Sequence, residues 1–401
     1  MKIVKLGPSY IEQLTTVHHD LNNLDSEPFA LEMNVYDITS FTSVEHMRSY
    51  FGDIWDRWYS DSRNKLLIEV SREVPNGYYN RFYAILVYFC RHYGIDNRLV
   101  ILTSNNIECV DTGKYINQSL PNAVVDSINY LEWDAAYHYH PLKLVDRKYD
   151  KRRFLMLSRS YKPWRHYIVG RLYVNNILDN FYYSFYNCEP YRNIFYDQSY
   201  IKEQLQTIEP NNIVKDFTVR LDHSDFYEKL PIRLTHEQKI LPHDLNRLYD
   251  DNIHSLYVAT DIDIVIETLF QSPNDNFHPT EKIWKSIVYR KPFIVFSTKN
   301  FLAHMRDQGY KTFHPWINEN YDSVEDKHQR AEMIIDEIHR INNFSEQELS
   351  ELLTNCREIC EHNYQRLHLR LQDFYHGCDV SDTTKELLNV KSSINNRLQK
   401  I

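Results

Sequence analysis

The stretch FHPTEKIWKSIVYRKPFIVFSTKN, Phe277 to Asn300, changes periodicity in its middle. Thr280 stands where a helix N-cap belongs, and Glu281 follows in the first turn, where a negative charge complements the helix dipole. Ile283 and Ile287 then recur at helical spacing. After Pro292 the pattern becomes a continuous apolar run, Phe293 to Phe296, which is how a strand buried on both faces reads. A helix feeding a buried strand is half of the repeating unit of a parallel α/β sheet. On the amino-terminal side, HSLYVATDIDIVIETLF (His254 to Phe270) predicts one or two strands ending in the polar loop QSPNDNFHP. On the other side, NFLAHMRDQG predicts a helix capped by Asn300 and ended by Gly309, with YKTF as a further short strand.

The same alternation runs upstream. NKLLIEVS (Asn64 to Ser71), a helix over Tyr78 to Gly94 and RLVILTSNN (Arg98 to Asn106) make a strand–helix–strand unit. The segment NAVVDSINYLEW is open between a helix and a short strand. A second series begins with RFLMLSRS (Arg153 to Ser160), a helix from Pro163 with apolar Ile168, Val169, Leu172 and Tyr173, and the strand FYYSFYN. Residues from Cys188 to about Asp244 give no order, and two amphipathic helices follow Ser323 and Ser345. The charged stretch LKLVDRKYDKRR suits a boundary. The expected organisation is an α/β protein with two Rossmann-like domains, residues 1–150 and 151–345, facing a cleft, and a helical C-terminal segment, 346–401.

Composition removes several function classes. With 401 residues, 42% hydrophobic and 25% charged, the chain is long enough for two cores and too apolar for a disordered protein. A net charge of −9 gives no global pull toward nucleic acid. No apolar run approaches the ~20 residues of a membrane span, and no leader precedes Pro8, so the expected location is the cytoplasm, that of the host if the protein is viral. Six scattered cysteines show no ligand spacing; Cys356 and Cys360, four apart on a helix, read as inert thiols. Glycine is scarce, at 8 residues, and neither GxGxxG nor GxxxxGK[ST] occurs. A nucleotide would have to be held by side chains and helix ends.

Thr280, Glu281 and Lys282 sit where such an end would be: free N–H groups, a dipole and a mobile ammonium favour a phosphate, although the same residues also suit a plain capped helix. The segment from Val265 to Val295 resembles the donor-binding segment of the alpha-1,3-fucosyltransferase family. That family has a strand ending Phe-Glu-Asn, a loop, Tyr-[Ile/Val]-Thr-Glu-Lys opening a helix, and a Pro-Val-Val strand. Here the strand ends Ile266-Glu267-Thr268, His278 stands at the tyrosine position, Thr280-Glu281-Lys282 opens the helix, and Pro292-Phe293-Ile294-Val295 follows. GYKTFHPWINENYD (Gly309 to Asp322) is similar to segments of uncharacterised virus- and phage-type glycosyltransferase-like proteins. The resemblance implies a GT-B arrangement and a GDP- or UDP-linked sugar as donor, with Glu281 on the ribose and Lys282 on the diphosphate. It places Glu267, Thr268, His278 and Thr280 in the same donor site, and Arg159 and Arg165 beside the leaving diphosphate.

An inverting transferase needs a carboxylate to take the acceptor's proton, and Glu73, after the first-domain strand, is the first candidate, with Asp134 and His138 behind it. Asp261-Ile262-Asp263 matches Asp-x-Asp, but at the wrong end of its strand for a metal; the histidines of His138 to His140 have no further ligands, so no metal is expected. Among Trp133, Trp164, Trp284 and Trp316, any could stack a base or sugar, and Trp284 reads as core. The expectation is transfer of a sugar to a hydroxyl-bearing acceptor, with no tightly bound cofactor. Two alternatives stay open: transfer to a modified base in DNA, and a non-catalytic binding or assembly module of the same fold. Oligomeric state is open.

Overall fold

In the computed structural model the described residues are 2–5, 17–18, 29–34, 42–52, 54–70, 79–103, 116–127, 150–158, 160–189, 194–206, 208, 212–232, 251–270 and 277–375. Glu73, Asp134, His138 to His140, Trp133 and Arg159 lie outside them. The described residues fall into two units, one made of those up to Ser127 together with 369–375, and one from Asp150 to His368.

Among its described residues the first unit has six parallel strands, β1 (Lys2–Lys5), β2 (Val17–His18), β3 (Phe29–Asn34), β4 (Lys65–Val70), β5 (Leu99–Thr103) and β6 (Val124–Ser127), in the order β2-β1-β3-β4-β5-β6. The segment left open at Asn122 to Trp133 is therefore a strand where it is described. Its partners are helices α1 (Val44–Tyr50), α2 (Ile54–Ser60) and α3 (Tyr79–Tyr93), the last ended by Gly94 at φ +63°. Phe51, Trp55, Trp58 and Phe89 pack as one aromatic cluster. Arg98 lies 3.8 Å over the Trp58 ring and donates to the carbonyls of Trp58 (2.5 Å) and Tyr59 (3.2 Å) at the end of α2 and of Asp61 (2.9 Å) and Asn64 (2.9 Å) in the turn after it, with one buried guanidinium.

In the second unit four parallel strands, β7 (Arg152–Ser158), β8 (Phe181–Phe185), β11 (Thr260–Ile266) and β12 (Phe293–Phe296), take the order β12-β11-β7-β8, with β9 (Cys188–Glu189) and β10 (Ile194–Phe195) forming a small antiparallel pair. The chain adds β8 on one side of β7 and then β11 and β12 on the other. Right-handed crossovers travelling in opposite directions put their helices on opposite faces. These helices are α4 (Pro163–Val174) after β7 and α8 (Glu281–Val288) after β11. Between them in sequence lie α5 (Gln198–Gln206), α6 (Asn212–Asp222) and α7 (Asp251–Val258); α9 (Phe301–Asp307), α10 (Lys327–Asn342) and α11 (Glu346–Tyr375) complete the unit as far as His368.

Several expectations change. The stretch after Cys188 holds two helices, α5 and α6, whose few buried positions (Ile201, Leu205, Phe217, Leu221) are too spaced by polar residues to stand out. His254 to Val258 is the end of helix α7 rather than strand. Tyr257, strand-prone by itself, is held helical by parallel stacking on Tyr289 at 4.0 Å, and Leu256 packs on Leu155. YKTF is not a strand: the Asn363 side chain accepts from Lys311 N (2.7 Å) and donates to Lys311 O (2.8 Å), replacing a strand neighbour. Asn300 precedes α9 in the left-handed region (φ 60°) without a side-chain cap, and Asp322 instead accepts from Leu302 N (2.8 Å) and Ala303 N (3.0 Å).

Helix α4 is buried almost all round, so its apolar stripe understates it: Trp164, Arg165, His166 and Tyr167 are buried along with Ile168, Val169 and Leu172. The His166 ring lies parallel to Phe226 at 5.7 Å, and burial pushes its pKa down to about 3. Gly170 makes the crowding possible, because a Cβ there would meet the Phe217 ring at 2.8 Å. Gly170→Ala is expected to destabilise the protein by about 1–3 kcal/mol, the usual penalty of overpacking, although alanine is the better helix former. Urea unfolding of the variant checks this, and an unchanged midpoint would contradict the packing argument.

Candidate functional site

The strand order of the second unit reverses between β7 and β11, and in open parallel sheets the loops diverging at such a point leave a crevice at the carboxyl ends of the strands. The chain segments at this place are Ser160 to Lys162 running into α4, and Glu267-Thr268 leaving β11. Thr280-Glu281-Lys282 opens α8 beside them.

Helix α8 is pinned to β11 twice. Glu267, fully buried, accepts from Thr280 N (3.0 Å) and from the Thr280 hydroxyl. Four residues earlier on the same face of the strand, Asp263 accepts from the Ser286 hydroxyl. Burial raises Glu267 above the ordinary carboxylate range, with the Lys282 ammonium and the two Thr280 bonds opposing it. Burial likewise lifts Asp263 to about 6 despite its bonds to Ser286 and Tyr257. Thr280 therefore caps α8 and anchors it at once.

Lys282 gathers the exposed part of the site. Its Nζ donates to the Thr280 hydroxyl (2.8 Å) and the Thr268 hydroxyl (3.3 Å) and lies 3.2 Å from the Glu281 carboxylate and 3.9 Å from Glu267. Glu281 keeps 28% of its side chain exposed. Burial pushes its pKa up, but the ammoniums of Lys282 and Lys285 outweigh that and hold it below the ordinary carboxylate range, so it is ionised at neutral pH. Lys162, the last residue before Pro163, donates to the Thr268 carbonyl at 3.4 Å. Arg165, in the first turn of α4, is buried and donates to Ser160 O at 3.0 Å, tying down the β7–α4 turn.

Of the residues named from sequence, Thr268, Thr280, Glu281 and Lys282 come together, with Glu267 beneath them. His278 is buried just before the triplet. Arg165 is at the same edge of the sheet, bonded to its own turn. Trp284 is fully buried against Tyr310, Trp164 is buried against Phe270, and Trp316 is 39% exposed. Asp261 pairs with Lys151 at 3.2 Å, at the start of β11, the opposite end of the strand from Glu267. Cys356 and Cys360 are buried, and burial pushes both thiols up to about 12. Among the described residues no group of three histidines, cysteines or carboxylates is placed to hold a metal, and no helix is long and apolar enough to cross a membrane. Lys162 was not named from the sequence; its one signal was position, a lysine directly before the proline that starts a helix. Compared with known proteins, the chain matches no family model and no curated sequence.

Two outcomes test the pinning. Thr280→Val keeps the backbone bond to Glu267 but loses the hydroxyl bond to that buried carboxylate and the cap, and is expected to cost about 2–3 kcal/mol in urea unfolding, whereas Thr280→Ser stays within about 1 kcal/mol. Asp263 titrates at about 6 folded and at an ordinary carboxylate value unfolded. Between pH 4 and 6 the folded protein keeps a proton that the unfolded chain loses, so this group's stabilisation is present at low pH and lost as pH rises through 6. Relative to Asp263→Asn, the wild type is expected to lose up to about 3 kcal/mol across that window, measured by unfolding at stepped pH.

Proposed function

We propose that the chain is a glycosyltransferase of the GT-B type that moves a sugar from a nucleotide diphosphate sugar to a hydroxyl acceptor. The observation that carries the reading is the placement of Glu281 and Lys282 at the start of α8, against Thr268 at the end of β11, at the switch point of a parallel sheet. A carboxylate ionised at neutral pH and an ammonium side by side suit the two halves of a nucleotide. Glu281 would accept from the ribose hydroxyls, and Lys282 would turn from Glu281 to the diphosphate. The resemblance of Val265 to Val295 to the fucosyltransferase donor segment supports the same assignment.

The chemistry asks for few groups. As the bond from the anomeric carbon to the diphosphate oxygen breaks, negative charge grows on the leaving group, and Lys282 with the amino-terminal end of α8 would stabilise it. The acceptor oxygen attacks from the opposite face and its proton passes to a carboxylate, the role proposed for Glu73, which gives inversion. Glu267 and Thr280 would act as positioning residues, since both are buried and spend their polar atoms on each other. Lysine, arginine and the helix end supply the countercharge in this scheme.

Thermal unfolding in the presence of GDP, UDP and other nucleoside diphosphates tests the reading. One of them is expected to stabilise the protein, by about 2.7 kcal/mol at a hundred times its dissociation constant. Lys282→Ala is expected to weaken that ligand tenfold or more, the usual worth of a charge-assisted bond (about 1.5–3 kcal/mol). Stabilisation by no nucleoside diphosphate would overturn the assignment.

A further inference from the structure

Two lysines from different strands meet at Thr268. Lys162 follows β7 and Lys282 follows the loop after β11, so they reach the switch point from opposite sides. Lys162 has the extended backbone of an N-cap (φ −147°, ψ 143°) but makes no side-chain cap. Its chain reaches across to the neighbouring strand's loop, where Nζ is 3.4 Å from Thr268 O, a long bond, while Lys282 Nζ is 3.3 Å from Thr268 Oγ1. Two like charges directed at one small residue repel each other and are favoured together where an anion lies between them.

Cations and carboxylates are interleaved here. Among the described residues Lys162, Lys282 and Arg165 approach this place together with Glu281 and Glu267. Glu267 is turned inward onto Thr280 and cannot meet a ligand. The amino-terminal ends of α4 and α8 add positive potential from both sides. One lysine is enough for a single phosphate. Two, both within bonding distance of Thr268, offer one ammonium to each phosphate of a diphosphate ester.

We propose that Lys162 is a second phosphate-contacting residue of this site, and that Lys162 and Lys282 together bridge the two phosphates of a nucleoside diphosphate across the β7–β11 switch point. The assignment rests on the reading of the site as one for a nucleotide sugar, and it goes beyond that reading by naming a residue and by requiring both phosphates.

Calorimetric titration of the full chain with GDP, GMP, UDP and UMP at low salt separates the two. The wild type is expected to bind the diphosphate of one base about tenfold or more tighter than its monophosphate. Lys162→Gln is expected to reduce that preference to about threefold or less with the monophosphate affinity within about twofold, and Lys162→Arg to keep most of it. Melting temperatures close to wild type show that both variants are folded. A full diphosphate preference in Lys162→Gln, alongside its loss in Lys282→Ala, would overturn the role of Lys162 and leave the functional reading standing. A wild type that binds no nucleoside diphosphate would overturn the functional reading, and the role of Lys162 with it.

Discussion

The bonds from Thr280 to Glu267 hold the candidate site in place. A carboxylate fully removed from water carries a large desolvation penalty, and the protein offsets it with a backbone N–H, a hydroxyl and a nearby ammonium. Each of those partners belongs to the first turn of α8, so satisfying Glu267 fixes where the helix starts. Asp263 and Ser286 repeat the arrangement farther along, where the strand and the helix run in opposite directions. Two buried carboxylates on one face of β11 thus set the position and rotation of α8. The direction of Lys282 and Glu281 follows from that.

Around this pair, side chains distant in sequence hold the loops. Arg330 of α10 is buried and donates to the carbonyls of Phe270 and Ser297, just beyond the carboxyl ends of β11 and β12, and to Val324 and Glu325. One guanidinium thereby ties the loop after β11, which borders the switch point, to the loop after β12, with Phe270 stacked beneath it at 5.1 Å. The long helix α11 docks by the same means: Asn363 on Lys311, Arg366 on Gln308 O, and Glu361 and Tyr364 on Arg290, whose backbone takes a positive φ. These contacts are mostly side chain to backbone, and they replace regular structure where the chain has none.

Local patterns were legible where one physical cause dominates. The run Phe293 to Phe296 reads as a buried strand because both its faces are covered; Ser345 and Glu348 mark the start of α11 because they cap it reciprocally, with bonds of 2.8 and 3.3 Å. Gly94 and Gly309 mark helix ends because both take positive φ. Reading failed where a distant partner decides. Tyr257 is helical through Tyr289, YKTF is irregular through Asn363, and α9 is capped by Asp322 rather than by Asn300 beside it.

By itself the sequence determined the alternation of strands and helices in both halves, and the triplet Thr280-Glu281-Lys282 at a helix start, because period, capping and charge act over a few residues. The tertiary structure decided the order of the strands. That order puts the end of β7 beside the end of β11 and brings Lys162 within reach of Thr268, 106 residues away in the chain. It also decided that Glu267 faces inward while Glu281 keeps part of its side chain in solvent. Both are glutamates next to a threonine, and only the packing of α8 on β11 distinguishes a carboxylate that holds the site together from one open to a ligand.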